Sequence, residues 1–222
     1  MILYKTLAKE VHTEQIIERS RFIAHAKPVA SREEAEAYLA DIREQYKDAT
    51  HNVPAMVIGD KAQIQWASDD GEPQGTSGAP MVQYLVKEGL TNVVVVVTRY
   101  FGGIKLGTGG LVRAYTGAAK QAVEEAGIRE AREMIRLTVS FAYPYLAMIE
   151  RTMAEDGHTV EDKQFAADVT MVVATEQENE ESLLARLAGI TKGGAAVVSR
   201  EAFVGLLRGF VGISTGMAIP KN

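Results

Sequence analysis

VVVVVTRYFGGIKLGTGG (Val93–Gly110) decides how this chain is read. Five consecutive valines, Val93–Val97, have the β-branched character of a strand and leave it no polar face. A strand buried on both sides is expected, with a layer packed above it and another below. The glycines that follow (Gly102, Gly103, Gly107, Gly109 and Gly110) read as a loop whose backbone amides can approach an anion closely. From Leu111 to Ala126 the pattern is that of an alanine-rich helix, with Gly127 as its stop. Its positive N-terminal end points back at the glycines. Arg99, Lys105 and Arg113 add side-chain charge. Tyr100 and Phe101 supply rings that stack nucleobases if exposed and fill a core if buried.

Two nucleotide motifs fail on this stretch. A Walker A loop needs Lys after its second spaced glycine, and Thr108 follows Gly107. The dinucleotide fingerprint needs a third glycine where Val112 stands. What remains is a general anion cradle, Gly102–Gly110. The plain alternative is a strand-to-helix turn that uses glycine for positive φ.

Working outward, residues 2–29 alternate loosely and read as strands. SREE (Ser31–Glu34) is a capping box, so a helix follows to about Lys47 with Ala35, Tyr38, Leu39 and Ile42 as its buried stripe. Two short strands, Pro54–Ile58 and Gln63–Ala67, lead into DDGEPQGTSGAP (Asp69–Pro80), too dense in glycine and proline for regular structure. A short helix, Pro80–Glu88, precedes the valines. The loop at 69–80 offers Asp70, Glu72, Gly75, Thr76 and Ser77, with His51 upstream. Carboxylates, a hydroxyl and an imidazole are the makings of a hydrolytic site. They are equally turn formers and helix caps. Gly75-Thr76-Ser77-Gly78 does not have the spacing of a nucleophile elbow.

Beyond a charged segment at 129–134 the pattern resets. A strand (135–141), a helix (145–156), a hairpin (158–164 and 167–175), a helix (179–188) and a strand (195–203) give the order βαββαβ, the ferredoxin-like signature. Domains are expected at 1–130 and 134–204, with an apolar tail at 205–222 left unassigned.

Composition narrows the function. The chain has 222 residues and a net charge of −5, and acids outnumber bases in both halves. A sheath of positive charge for nucleic acid is therefore ruled out, and any such contact must be local. With no cysteine there are neither disulfides nor thiolate metal sites. His12, His25, His51 and His158 show no metal-ligand spacing, so neither a metal nor a cofactor is expected. The N-terminus has no apolar signal core, and no run approaches the roughly 20 apolar residues that span a bilayer. A cytoplasmic protein without membrane contact is the expectation.

ATHNVPAM (Ala49–Met56), DDGEPQGTSGAP and VVVVVTRYFGGIKLGTGGLVRAY (Val93–Tyr115) resemble the signature segments of the YigZ/IMPACT family. The likeness covers residues 1–128 strongly, and the remainder resembles the ferredoxin-like domain of bacterial members. It implies an α+β protein. The N-terminal domain would be like a small-subunit ribosomal protein domain and domain IV of elongation factor G, and the C-terminal one like domain V. It further implies a non-catalytic regulator that contacts RNA, the ribosome or a protein partner of the translation machinery. RNA binding would then weaken steeply with salt. A phosphate- or nucleotide-handling enzyme using Gly102–Gly110, with Asp70 or Glu72 for base work, is the other reading.

Overall fold

A computed structural model describes residues 1–208; of the tail expected at 205–222, residues 205–208 belong to the last strand and those from 209 onward lie outside the described residues. The chain folds into two compact units, one of Tyr4–Glu130 and the other of Ala131–Leu206 together with Met1–Leu3. The charged segment 129–134, within which the two units divide, lies inside a single long strand, Ile128–Phe141.

The first unit is built on a five-stranded antiparallel sheet. Its strands are β2 (Val11–Ile17), β3 (Ser20–Pro28), β4 (His51–Ile58), β5 (Ile64–Ala67) and β6 (Val93–Tyr100), in the order β2-β3-β6-β4-β5. The valine strand is central. Val93, Val95 and Val97 pack on one face, against α2 (Gly78–Lys87) and α3 (Gly107–Ala126). Val94 and Val96 pack on the other, against α1 (Arg32–Gln45). Successive strand side chains point to opposite faces, so a sheet covered on both sides needs an unbroken apolar run. Ser31 caps α1 by accepting the Glu34 amide at 3.2 Å, and the Glu34 carboxylate accepts the Ala30 amide at 2.8 Å. The stripe Ala35, Tyr38, Leu39 and Ile42 is buried.

Several element boundaries differ from the sequence reading: β4 begins at His51 rather than Pro54, and the strands expected at 135–141 and 195–203 run Ile128–Phe141 and Ala196–Arg208. The valine strand continues through Arg99 and Tyr100, so neither belongs to a loop. The long helix begins at Gly107 rather than Leu111, so Gly107, Thr108, Gly109 and Gly110 form its first turn. Glycine disfavours helix, which hid this turn from a propensity argument.

In the second unit β7 (Ile128–Phe141) pairs with β9 (Val169–Glu176), which pairs with β8 (Thr159–Phe165), and β10 (Ala196–Arg208) also pairs with β7; β1 (Ile2–Leu7) is divided between the units at Tyr4. The order β10-β7-β9-β8 is that of the ferredoxin-like fold. Helices α4 (Leu146–Glu155) and α5 (Glu180–Thr191) supply Ile149, Met153, Leu183 and Leu187 to a core with Ile135, Leu137, Val139 and Phe141. No helix among the described residues is long and apolar enough to cross a membrane.

Candidate functional site

Alternation along β6 places Arg99 on the same face as Val93, Val95 and Val97, beneath α3. Register does the rest: Arg99 lies opposite Phe22 of β3 and opposite His51 of β4. An arginine turned inward needs a carboxylate, since an unpaired buried charge is very costly. Glu72, from the first loop, supplies it. Arg99 Nη1 donates to Glu72 Oε1 at 2.6 Å, and both side chains are about 5% exposed. Tyr115 of α3 donates its phenol to the same oxygen at 2.7 Å. Burial, and then the Glu72 carboxylate, push the Tyr115 phenol far up, so it stays protonated and acts as a donor. The guanidinium also lies 5.3 Å from the ring centres of both Phe22 and Phe101. Arg99 is thus a neutralised, buried group and not a surface cation.

His51 borders this cluster. Its Nδ1 is 2.7 Å from the Asp70 carbonyl oxygen, which can only accept, so Nδ1 carries the proton. In the neutral ring Nε2 keeps its lone pair, 3.8 Å from Glu72 Oε1. Among the described residues no donor reaches Glu72 Oε2. Glu72, Arg99 and His51 all line an open cavity of about 410 Å3. Thr50, Pro73 and Phe101 line it, together with Lys105, Leu106, Gly107, Thr108 and Leu111. The last residues of this group belong to the N-terminus of a 20-residue helix with no side-chain cap and no acid in its first turn. Its orphan amides and dipole are positive there, and exposed Lys105 adds to them.

The remaining candidates fall elsewhere. Asp70 binds Arg43 at 2.9 Å and the Asn52 amide at 2.7 Å, and it touches the cavity only by orienting His51. Thr76 donates to the Pro73 carbonyl at 2.6 Å. Neither Thr76 nor Ser77 caps α2; Asp69 does, accepting from the amides of Gly75, Ser77 and Gly78 and from the Ser77 hydroxyl. Burial raises the Asp69 carboxyl, but these bonds outweigh it and hold the group below its ordinary range. Tyr100 donates to Asp48 at 2.8 Å outside the cavity, while Phe101 is 46% exposed at its rim. Gly102 is required by packing: a Cβ there would lie 2.0 Å from the Arg19 carbonyl oxygen. Gly103 is a turn residue at φ +86°. Arg113 lines a separate hollow with Lys105, Glu18 and Gly110.

Sequence reasoning missed Tyr115, Thr50, Leu106 and Leu111 as cavity or cluster residues. Extending the valine alternation by two would have turned Arg99 inward and demanded an acid. It also missed that His12 and His25 are neighbours, their Nδ1 atoms 2.8 Å apart, because the β2–β3 register pairs them. Among the described residues no group of three or more His, Asp or Glu side chains is placed to hold a metal.

A sheet covered on both faces and carrying a cavity at its rim, followed by a ferredoxin-like domain, defines a two-domain α+β protein. The chain belongs to the IMPACT family. The Impact N-terminal domain matches residues 18–123, and a domain of unknown function, DUF1949, matches residues 139–193. The chain is 36% identical to the IMPACT family member YvyE of Bacillus subtilis, over 89% of its length and 91% of that protein. It is 34% identical to YigZ of Escherichia coli, over 83% and 92%. Mouse protein IMPACT is 39% identical over 40% of this chain and 29% of its own. A solved structure described as a hypothetical protein superposes with a TM-score of 0.56 at 32% identity, covering 88% of this chain and 96% of that one.

Proposed function

We propose that this protein is a non-catalytic, translation-associated binder that holds a nucleotide unit of single-stranded RNA in the cavity at the rim of its N-terminal sheet. The observation that carries this reading is the pairing of an uncapped helix N-terminus and Lys105 with an exposed Phe101 across one cavity. The first two suit a phosphate and the third a base. A volume of about 410 Å3 suits one nucleotide rather than a duplex, because small-ligand sites run from about 300 to 1,000 Å3. The link to translation comes from the family resemblance.

Fluorescence anisotropy with a labelled oligouridylate tests it. Phe101→Ala and Lys105→Ala should each weaken binding about tenfold, since stacking on an aromatic contributes roughly 1–3 kcal/mol per base. Circular dichroism should show both variants folded. No binding by the wild type, or wild-type binding by both variants, would refute the reading.

One observation favours an enzyme instead: His51 gives its Nδ1–H to the Asp70 carbonyl and holds Nε2 3.8 Å from Glu72 Oε1 beside the cavity, an arrangement suited to acid–base work. That reading requires turnover of a phosphate ester and its loss in His51→Ala.

A further inference from the structure

A second hollow, of about 420 Å3, adjoins the cavity, since Lys105 and Leu106 line both. Arg113, Glu18, Ile104 and Gly110 line it as well. Arg113 and Lys105 are exposed, and among the described residues neither has an ion-pair partner. Other arginines of this unit do: Arg21, Arg43 and Arg99 are each held by a carboxylate. Glu18, the acid in the hollow, pairs with neither cation. The Arg113 side chain runs back along α3, as helical side chains do, so that a Cβ at Gly109 would lie 3.6 Å from its Nη1. A bare glycine four residues earlier leaves the guanidinium room there. Two cations sharing one hollow repel each other, and an anion held by both reverses that cost. Side chains alone supply the charge at this place.

We infer that the RNA strand held in the cavity continues over Lys105 into this hollow, where Arg113 takes the next phosphate. The inference rests on the binding reading above and adds an extent to it: a run of at least two nucleotides rather than one. A strand carries a phosphate at every nucleotide, so a cation one step beyond the first contact meets the next. The guanidinium fork matches phosphate oxygens better than an ammonium does. Ile104, 37% exposed, gives the sugar and base an apolar wall.

The test uses the full chain, with labelled octauridylate read by anisotropy and uridine 5′-monophosphate as its competitor. Arg113→Ala should weaken the octanucleotide about threefold, the scale of an exposed ion pair. It should also lower the logarithmic salt slope by about 0.7, one single-strand phosphate. The mononucleotide should compete equally well for the variant and the wild type, because it does not reach the hollow. Lys87→Ala, which removes an exposed cation from α2, should change neither affinity. An unchanged octanucleotide affinity and slope in a folded Arg113→Ala would overturn the Arg113 assignment and leave the binding reading standing. Equal weakening of the mononucleotide, or the same loss in Lys87→Ala, would do so too, since either makes Arg113 something other than a second phosphate contact. Failure of the octanucleotide to bind, or of the mononucleotide to compete, would instead overturn the binding reading and the assignment with it.

Discussion

His25 is fully buried on the α1 side of the sheet, in a chain of hydrogen bonds with one consistent direction. Thr98 donates to Asn52 Oδ1 at 2.7 Å, and so accepts from His25 Nε2 at 3.1 Å. That leaves His25 Nδ1 to accept from His12 Nδ1. A second proton on His25 would face another N–H. Burial, and then the charge of His12, push its pKa down from 6.5 to about 4. The ring of Tyr46 lies tilted against it, the centres 4.8 Å apart, and the chain ends where Asn52 donates to the Tyr46 carbonyl. The unfolded chain binds this proton more readily, so the contribution is complete above pH 6.5 and is lost as pH falls toward 4. The loss amounts to about 3 kcal/mol over that window. Urea midpoints measured from about pH 7.5 to 4 should fall accordingly, and His25→Gln should flatten that slope even if it lowers the plateau.

At the scale of elements, the first loop is organised by a cap rather than by a catalytic constellation. Asp69 satisfies three backbone donors at the start of α2 and also takes the Ser77 hydroxyl. The same turn delivers Glu72 to Arg99, so the cap positions the buried ion pair as well as the helix. Asp69→Ala should cost about 2 kcal/mol, the upper end of a lost N-cap, read from denaturant unfolding near neutral pH. The Asp69 carboxyl lies below its ordinary range when folded. Its contribution is therefore present above the unfolded pKa and lost as pH falls through the folded one. The gap between variant and wild type should narrow toward about pH 3. A gap that stays constant with pH would show that Asp69 does not act through its charge.

At the scale of the molecule, the chain carries a net charge of −5, and the one arginine turned toward the cavity is neutralised. A steep salt dependence, which a free Arg99 cation would bring, does not follow from a paired one. Lys105 and the helix amides meet one or two phosphates, and each single-strand phosphate contributes about 0.7 to the logarithmic slope. Between roughly 50 and 200 mM salt, RNA affinity should therefore fall with a slope near −1; a slope of about −4 or steeper would require more phosphate contacts than Lys105 and the start of α3 supply. The α+β class, the doubly buried valine strand, the Ser31 capping box and the βαββαβ order were all legible in the sequence. Each depends on short-range periodicity or capping chemistry that one stretch of chain carries by itself. The partner of Arg99, 27 residues away, the contact between His12 and His25, and the helical state of Gly107–Gly110 were not. Those depend on strand register and on the path of a glycine-rich loop, which no local pattern encodes. Only tertiary packing turned a row of candidate charges into one buried ion pair with an imidazole beside it and one open helix end.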